Sequence, residues 1–145
     1  MGDLDFVPDV LRSLGAEIRF HKLAVKPGKP TLFARIGRSF VFGLPGNPVS
    51  TFVIFEVFAK TFLYNWMGLS YRPRVLTGVL AEALNRRDAE RLEYRPVRLE
   101  GNRIHPLSYH GSSHLSALRE AEGLIRIERG TTRIEQGSEL DVRLL

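Results

Sequence analysis

The spacing of apolar residues changes its period about halfway along the chain. The first half predicts helices over 5–14 and 48–67, strand-like alternation over 17–25, and short strands over 31–36 and 39–42. From residue 74 onward the pattern is typical of short strands and turns. These later strands are expected over 75–84, 92–99, 103–107, 124–127 and 140–145, with a short helix over 112–121 that Gly123 ends. The pattern therefore predicts an α/β part over residues 1–69 and an all-β barrel or sandwich over residues 70–145. A linker is expected over 68–73, where the two parts meet.

The alternation over 17–25 also predicts a cluster of positive charge. It sets Lys22, Ala24 and Lys26 on the strand face opposite to the apolar residues, and Lys29 follows a Pro-Gly turn. Three ammonium groups at a strand end would attract a multiply charged anion such as phosphate. The alternative is a solvated basic edge that discourages strand pairing.

The segment 40–50 reads as a buried strand, a Gly/Pro turn and an abrupt helix start. Asn47 suits the N-cap and Pro48 the first helical position. The backbone N–H groups of Val49 and Ser50 are expected to be free there, which would make the helix end an anion seat. The alternative is a tight strand-to-helix connection that binds nothing.

Composition narrows the class of protein. The 145 residues include no cysteine, which excludes a disulfide scaffold and a cysteine nucleophile and fits a reducing compartment. The acidic first residues are not typical of a secretory signal, and Glu56 and Lys60 inside the apolar segment 49–69 argue against a membrane span. A net charge of +5 favours anionic ligands, although scattered basic residues give no nucleic-acid-binding motif. We therefore expect a cytoplasmic protein that binds neither membranes nor nucleic acids.

Three further candidate functional groups each have an alternative explanation that involves no ligand. Asp5 lies near a helix start, where a carboxylate is stabilised in any case, but it could also bind Mg²⁺ or act as a base. Arg95 lies on a strand close to Glu93 and could clamp a phosphate, or simply face solvent. His110 and His114 have the spacing of a zinc pair, but no third ligand has suitable spacing.

Three motifs in register resemble the molybdopterin molybdenumtransferase family. They are Gly2-Asp3-Leu4-Asp5-Phe6-Val7, the stretch from Lys22 to Pro30, and Gly43-Leu44-Pro45-Gly46-Asn47-Pro48-Val49-Ser50. His110-Gly111-Ser112-Ser113 and Gly137-Ser138-Glu139-Leu140-Asp141-Val142 match as well. The family includes the bacterial molybdenum-insertion enzyme and the C-terminal domain of gephyrin. The resemblance implies a partial molybdopterin-binding α/β layer followed by a small C-terminal β-barrel domain.

The resemblance also implies an activity and roles for individual residues. Family members insert molybdenum from molybdate into adenylylated molybdopterin and release AMP, with Mg²⁺ as cofactor. Asp5, Lys22 and Lys26 match catalytic positions. The matched substrate-binding positions are Lys29, Pro45, Gly46, Asn47, Pro48, Ser50, Arg95 and Ser112. The identity of any metal ligands stays unknown.

The resemblance covers only the C-terminal third or so of the family's longer proteins. The missing half of the α/β layer is expected to leave apolar faces of strands 17–25 and 31–42 and of helix 48–67 uncovered, which predicts a homo-oligomer such as a dimer, or aggregation. A non-catalytic module for pterin or partner binding and oligomerisation is the alternative function.

Overall fold

A computed structural model describes residues 5–108 and 118–145 of the chain. The first part begins with helix α1 (Val7–Ser13), which Gly15 ends at a φ of +76°. A three-stranded antiparallel sheet follows, in the order β1 (Glu17–His21), β3 (Leu32–Ile36) and β4 (Ser39–Gly43). Helix α1 packs against this sheet through Leu11, which lies in a small buried cluster with Leu32 and Ala34.

The expected strand over 17–25 ends early, at His21. Lys22 has a φ of +85°, which no regular strand allows, and its N–H donates to Thr31 O at 2.8 Å. The chain therefore turns, and β2 (Val25–Lys26) forms a separate strand. Lys22 and Lys26 consequently do not share one strand face, so that expectation was wrong.

The expected long helix is continuous from Pro48 to Trp66 but is not uniform. It consists of α2 (Pro48–Ile54), a π-helical segment (Phe55–Ala59) and α3 (Lys60–Trp66). The π-helical segment carries Glu56, a residue that is 8% exposed and accepts hydrogen bonds from Lys60 Nζ at 3.0 and 3.2 Å. The i, i+4 spacing of Glu56 and Lys60 brings these two side chains together on the helix surface.

The second part is a closed barrel. Its strands are β5 (Val75–Leu80), β7 (Leu92–Glu100), β8 (Arg103–Pro106), β9 (Gly123–Ile127) and β11 (Glu139–Leu144). They are hydrogen-bonded in the order β7-β8-β5-β11-β9, and a β7–β9 pairing closes the ring. The short strands β6 (Leu84–Asn85) and β10 (Arg133–Ile134) pair with each other outside it. The barrel core consists of Leu80, Leu84, Val97, Ile104, Ile125, Ile127 and Val142.

Two expected elements of the second part differ in the structure. The strand over 75–84 is interrupted after Leu80 and resumes at Leu84. Gly123 does not end a helix but begins β9, where an added Cβ would lie 2.3 Å from Val142 Cγ1. Of the helix expected over 112–121, residues 112–117 lie outside the described residues.

Contacts among the described residues join the two parts. Strand β2 belongs to the first part but pairs in parallel with β7, with Val25 opposite Leu92 and Lys26 opposite Glu93. Arg143 of β11 donates to the Glu56 carbonyl and lies over the Tyr71 ring. The expected linker has no helix or strand, yet Tyr71 anchors it to the barrel. The division near residue 69 stays a prediction.

Several apolar side chains of the first part face solvent. Those of the two helical segments and the residues around them are Phe6, Val7, Val10, Leu14, Phe55, Leu63, Trp66, Met67 and Leu69. Within residues 5–108 and 118–145, the helices are too short or too polar to cross a membrane.

Candidate functional site

Four charged side chains from two strands and a loop meet where β2 joins the barrel. The centre is Glu93 of β7, whose carboxylate is fully buried. Its Oε1 accepts hydrogen bonds from Arg95 Nε at 2.8 Å and from the Arg95 terminal nitrogen at 2.6 Å. Its Oε2 lies 3.0 Å from Arg86 Nε and 3.7 Å from Lys26 Nζ. The cluster thus unites Lys26 and Arg95, two residues that the resemblance assigns to one cleft.

Arg86 is a structural member of this cluster. Its buried guanidinium donates hydrogen bonds to the backbone carbonyls of Glu128, Thr131 and Arg91 at 2.7–3.1 Å. The Nε–H is not directed at Glu93 Oε2, so this contact is an ion pair rather than a hydrogen bond. Arg86 therefore neutralises Glu93 and is itself held by three carbonyls.

The surroundings of Lys26 and Arg95 carry more positive than negative charge. Asp88 is the nearby second carboxylate, and it is paired with Arg91 at 2.6 Å. The hydrogen bond from Arg91, another from the Glu90 N–H and the charge of Lys26 lower the pKa of Asp88. Four cations thus face two carboxylates: Arg86, Arg91, Arg95 and Lys26 against Asp88 and Glu93. The side chains of Lys26 and Arg95 are 33% and 20% exposed, so water solvates these two positive charges only in part.

Lys22 and Lys29 lie on an open groove next to this cluster. The groove has a volume of about 740 Å³, and its other charged lining residues are Asp88, Glu90, Arg91 and Arg129. Both lysines belong to one turn, because Leu23 N–H donates to Lys29 O at 2.8 Å. The groove is therefore bordered by cations from both parts of the molecule.

Gly28 holds this lysine-bearing turn close to the long helix. Its φ is +124°, and a Cβ added there would lie 2.4 Å from Ile54 Cδ1. The Gly28 carbonyl accepts a buried hydrogen bond from Thr31 Oγ1 at 2.7 Å. Only glycine allows both this backbone conformation and this approach.

Asp5 lies in a different, smaller cleft of about 160 Å³, together with His21, Pro45 and Gly46. Its carboxylate is 39% exposed and lies 3.9 Å from His21 Nε2, too far for a hydrogen bond. Within the described residues, no three His, Cys, Asp or Glu side chains group as metal ligands. Because Mg²⁺ requires several oxygen ligands, the described residues alone do not fit a magnesium site.

The helix start at Asn47 confirms one expectation and contradicts another. Asn47 is the N-cap and Pro48 the first helical residue, as expected. The N–H groups of Val49 and Ser50 are not free, because both donate to Asn47 Oδ1, at 3.0 and 3.2 Å. An asparagine cap can satisfy two backbone donors at once, and the expected seat of free N–H groups is therefore absent from this helix start.

Ser112, His110 and His114 lie outside the described residues. Sequence reasoning treated Glu93 only as a neighbour of Arg95, and it missed Arg86. The sequence held one signal for Glu93: a carboxylate on a strand, two residues before Arg95 and therefore on the same strand face.

Comparisons with known proteins agree with this architecture. Residues 1–65 match the family model of a probable molybdopterin binding domain, and residues 77–145 match that of the MoeA C-terminal region, domain IV. The chain is 33% identical over 153 aligned positions to a molybdopterin molybdenumtransferase from Bacillus subtilis, covering all of this chain and 35% of that protein. A relative of the same name from Staphylococcus epidermidis is 30% identical, with 99% and 35% covered.

A solved structure gives the same result. The molybdopterin biosynthesis MoeA protein from Pyrococcus horikoshii superposes with a TM-score of 0.84 at 28% identity, covering 97% of this chain and 34% of that one. The chain thus spans about a third of the length of these relatives. The two family models, the relatives and the shared fold lead to one assignment: the chain belongs to the molybdopterin molybdenumtransferase family, of which it matches a C-terminal portion.

Proposed function

We propose that this chain carries the oxyanion-binding part of an enzyme of molybdenum cofactor biosynthesis. The reaction inserts molybdenum from molybdate into adenylylated molybdopterin and releases AMP. The observation that carries the proposal is the surplus of positive charge around Lys26 and Arg95, since Glu93 is already neutralised by Arg86. Molybdate is the substrate for which this pair of cations is suited.

The charge of the cluster matches a dianion. Two partly buried cations without two carboxylates of their own are destabilised by mutual repulsion, and a bound dianion relieves it. The planar guanidinium of Arg95 already donates two N–H groups to Glu93 and retains further donors for an oxyanion. Lys26 is 3.7 Å from Glu93, so the two form an ion pair without a hydrogen bond, and the ammonium protons are left for an oxyanion.

The remaining substrate groups would occupy the neighbouring surfaces. Lys22 and Lys29 border the open groove and would bind phosphate oxygens of the pterin or the adenylate. Pro45 and Gly46 border the cleft that contains Asp5, and Asn47, Pro48 and Ser50 continue that loop into the helix. AMP carries additional negative charge as it leaves, and lysines beside it would stabilise that charge. Ser112 is assigned to the same site only by family resemblance.

Magnesium is the cofactor that the resemblance predicts. Asp5 offers a single carboxylate, so phosphate oxygens of the substrate or further protein groups would have to complete its coordination. We assign no step to it. Action in the cytoplasm and a dimeric state are likewise part of the proposal.

AMP release tests the proposed reaction. The chain is mixed with adenylylated molybdopterin, Mg²⁺ and molybdate, beside a full-length family member as positive control. Molybdate-dependent AMP release that is lost in Lys26→Ala supports catalysis by this region. Release that persists in Lys26→Ala contradicts the role given to Lys26.

A non-catalytic binding and oligomerisation module is the second candidate. The exposed apolar residues of the two helical segments favour it, since such surfaces commonly mark protein contacts. Pterin binding without AMP release, at protein concentrations where the positive control is active, would favour this alternative.

A further inference from the structure

We propose that Glu93 is a positioning residue for Lys26, acting from the barrel on a lysine of the α/β part. The proposal rests on the function proposed above, because Lys26 is the group through which Glu93 would act. Glu93 and Lys26 are opposite each other in the parallel pairing of β2 with β7, so the backbone register brings the two side chains together. The structure thus assigns a second role to a strand that otherwise serves the barrel.

The two oxygens of Glu93 have different environments. Oε1 accepts both hydrogen bonds from Arg95, whereas Oε2 is buried and accepts none from the described residues. The cations nearest to Oε2 are the Arg86 guanidinium and the Lys26 ammonium. A buried carboxylate oxygen without a donor strongly favours a nearby cation, and of these two only the lysine has a flexible, partly exposed side chain.

Arg86 makes this arrangement possible. Its three bonds to backbone carbonyls fix the guanidinium 3.0 Å from Glu93 Oε2, so the fully buried carboxylate has a cation beside it. Glu93 in turn lies between Lys26 and Arg95 and reduces their repulsion before any ligand is bound. Both cations are thereby held on one carboxylate in the absence of the oxyanion, which lowers the cost of organising the site on binding.

The sign of one substitution separates positioning from a plain charge effect. Glu93→Gln retains an amide oxygen for Arg95 but removes the attraction for Lys26. If Glu93 acted only as a negative charge, its removal would strengthen the binding of a dianion. If Glu93 positions Lys26, binding weakens despite the lost repulsion.

The test measures molybdate binding by calorimetry for the wild type, Glu93→Gln, Lys26→Met and the double variant. Glu17→Gln is the control, since it removes a carboxylate that is 59% exposed and pairs with Arg19. We expect about three- to tenfold weaker binding in Glu93→Gln, no change in Glu17→Gln, and a double variant within about twofold of Lys26→Met. Unchanged or tighter binding in Glu93→Gln overturns the proposal, as does a double variant in which the two effects multiply.

Thermal unfolding of the same four proteins, without ligand, gives a second readout that does not require binding. Coupled residues predict that the double variant loses clearly less Tm than the two single variants combined. Additive losses overturn the positioning role. A wild type that shows this coupling but binds no molybdate supports the Lys26–Glu93 pair and refutes the proposed function instead.

A second variant serves if Glu93→Gln does not fold because Arg86 is left buried without its counterion. Glu93→Asp then replaces it, since its side chain is one methylene shorter and its carboxylate lies farther from Lys26. Unchanged binding in Glu93→Asp overturns the proposal.

Discussion

At the scale of single residues, Asn47 shows how one side chain can decide what a loop binds. Its Oδ1 accepts from the N–H groups of both Val49 and Ser50. Thr51 Oγ1 adds hydrogen bonds to the carbonyls of Pro45 and Asn47. The hydrogen bonds of this loop are therefore made within the loop. It can contribute its shape to a ligand site, but not the N–H groups of Val49 and Ser50.

Asn47→Ala tests this cap. The variant leaves two helix N–H groups without their acceptor, so the free energy of unfolding should fall by about 1 kcal/mol. Asn65→Ala, near the exposed end of the same helix, is the matched control and should change stability little. Urea unfolding of the three proteins measures the difference, and equal loss in both variants would show that Asn47 is not a cap.

Lys60 gives a prediction about pH. The hydrogen bond with Glu56 raises the pKa of Lys60 above its ordinary value of 10.5, against the opposing effect of burial. A raised pKa in the folded state means that this contribution to stability is complete below 10.5 and is lost as pH rises through the folded-state pKa.

The stability difference between the wild type and Lys60→Met should therefore be constant near neutral pH and shrink in strongly alkaline solution. Chemical unfolding over a series of pH values measures it. A difference that stays constant through strongly alkaline solution would contradict the assignment.

The identities of several such residues could be predicted, but their partners could not. Asn47 and Pro48 are local signals, because a cap and a first helical proline act within a few residues. Glu93 and Lys26 are 67 positions apart in the sequence. Their contact depends on the pairing of β2 with β7, which no local pattern specifies.

At the scale of elements, the turn from Lys22 to Lys29 positions three lysines and connects the two sheets. Alternation predicted one strand through this region, since its side chains alternate up to Val25. The structure breaks that strand at Lys22, whose φ of +85° is rare for a residue other than glycine. A lysine at this position therefore does not indicate that the strand ends there.

Gly28→Ala should destabilise the protein by about 2 kcal/mol or more, because the new Cβ meets Ile54 and the backbone conformation is strained. The control is Gly46→Ala, where an added Cβ meets nothing within 4 Å. Thermal unfolding compares the two. A similar Tm for both variants would show that the turn does not pack on the helix as described.

At the scale of the whole molecule, the two parts differ in how their buried apolar residues are grouped. The barrel encloses seven buried residues in one cluster, whereas the cluster beneath α1 has three. The closed β-structure could be predicted from many short strands at regular spacing. The exposed apolar residues of helix 48–67 agree with the expectation drawn from the family resemblance, but the expectation for strands 17–25 and 31–42 was wrong. Their large apolar side chains are not exposed, because Phe33 and Phe40 pack against Phe62 of the helix.

This surface predicts self-association. Light scattering of the purified chain should give a mass above that of one chain, because Leu63, Trp66 and Met67 are 45–60% exposed. Leu63→Lys should lower the measured mass, whereas Val75→Lys, at a residue of the barrel that is 56% exposed, should not. A monodisperse monomer in the wild type would contradict this prediction.

The direct measurement of the central claim is calorimetric titration of the wild-type chain with molybdate, alongside Lys26→Met. The account predicts saturable binding that is weakened about tenfold or more in Lys26→Met, since a charge-assisted hydrogen bond is lost. Arg12→Met is the control, because it removes a cation of α1 that is 58% exposed and paired with Asp9. Absence of binding in the wild type, or equal binding in Lys26→Met, would contradict the assignment of this cluster as an oxyanion site.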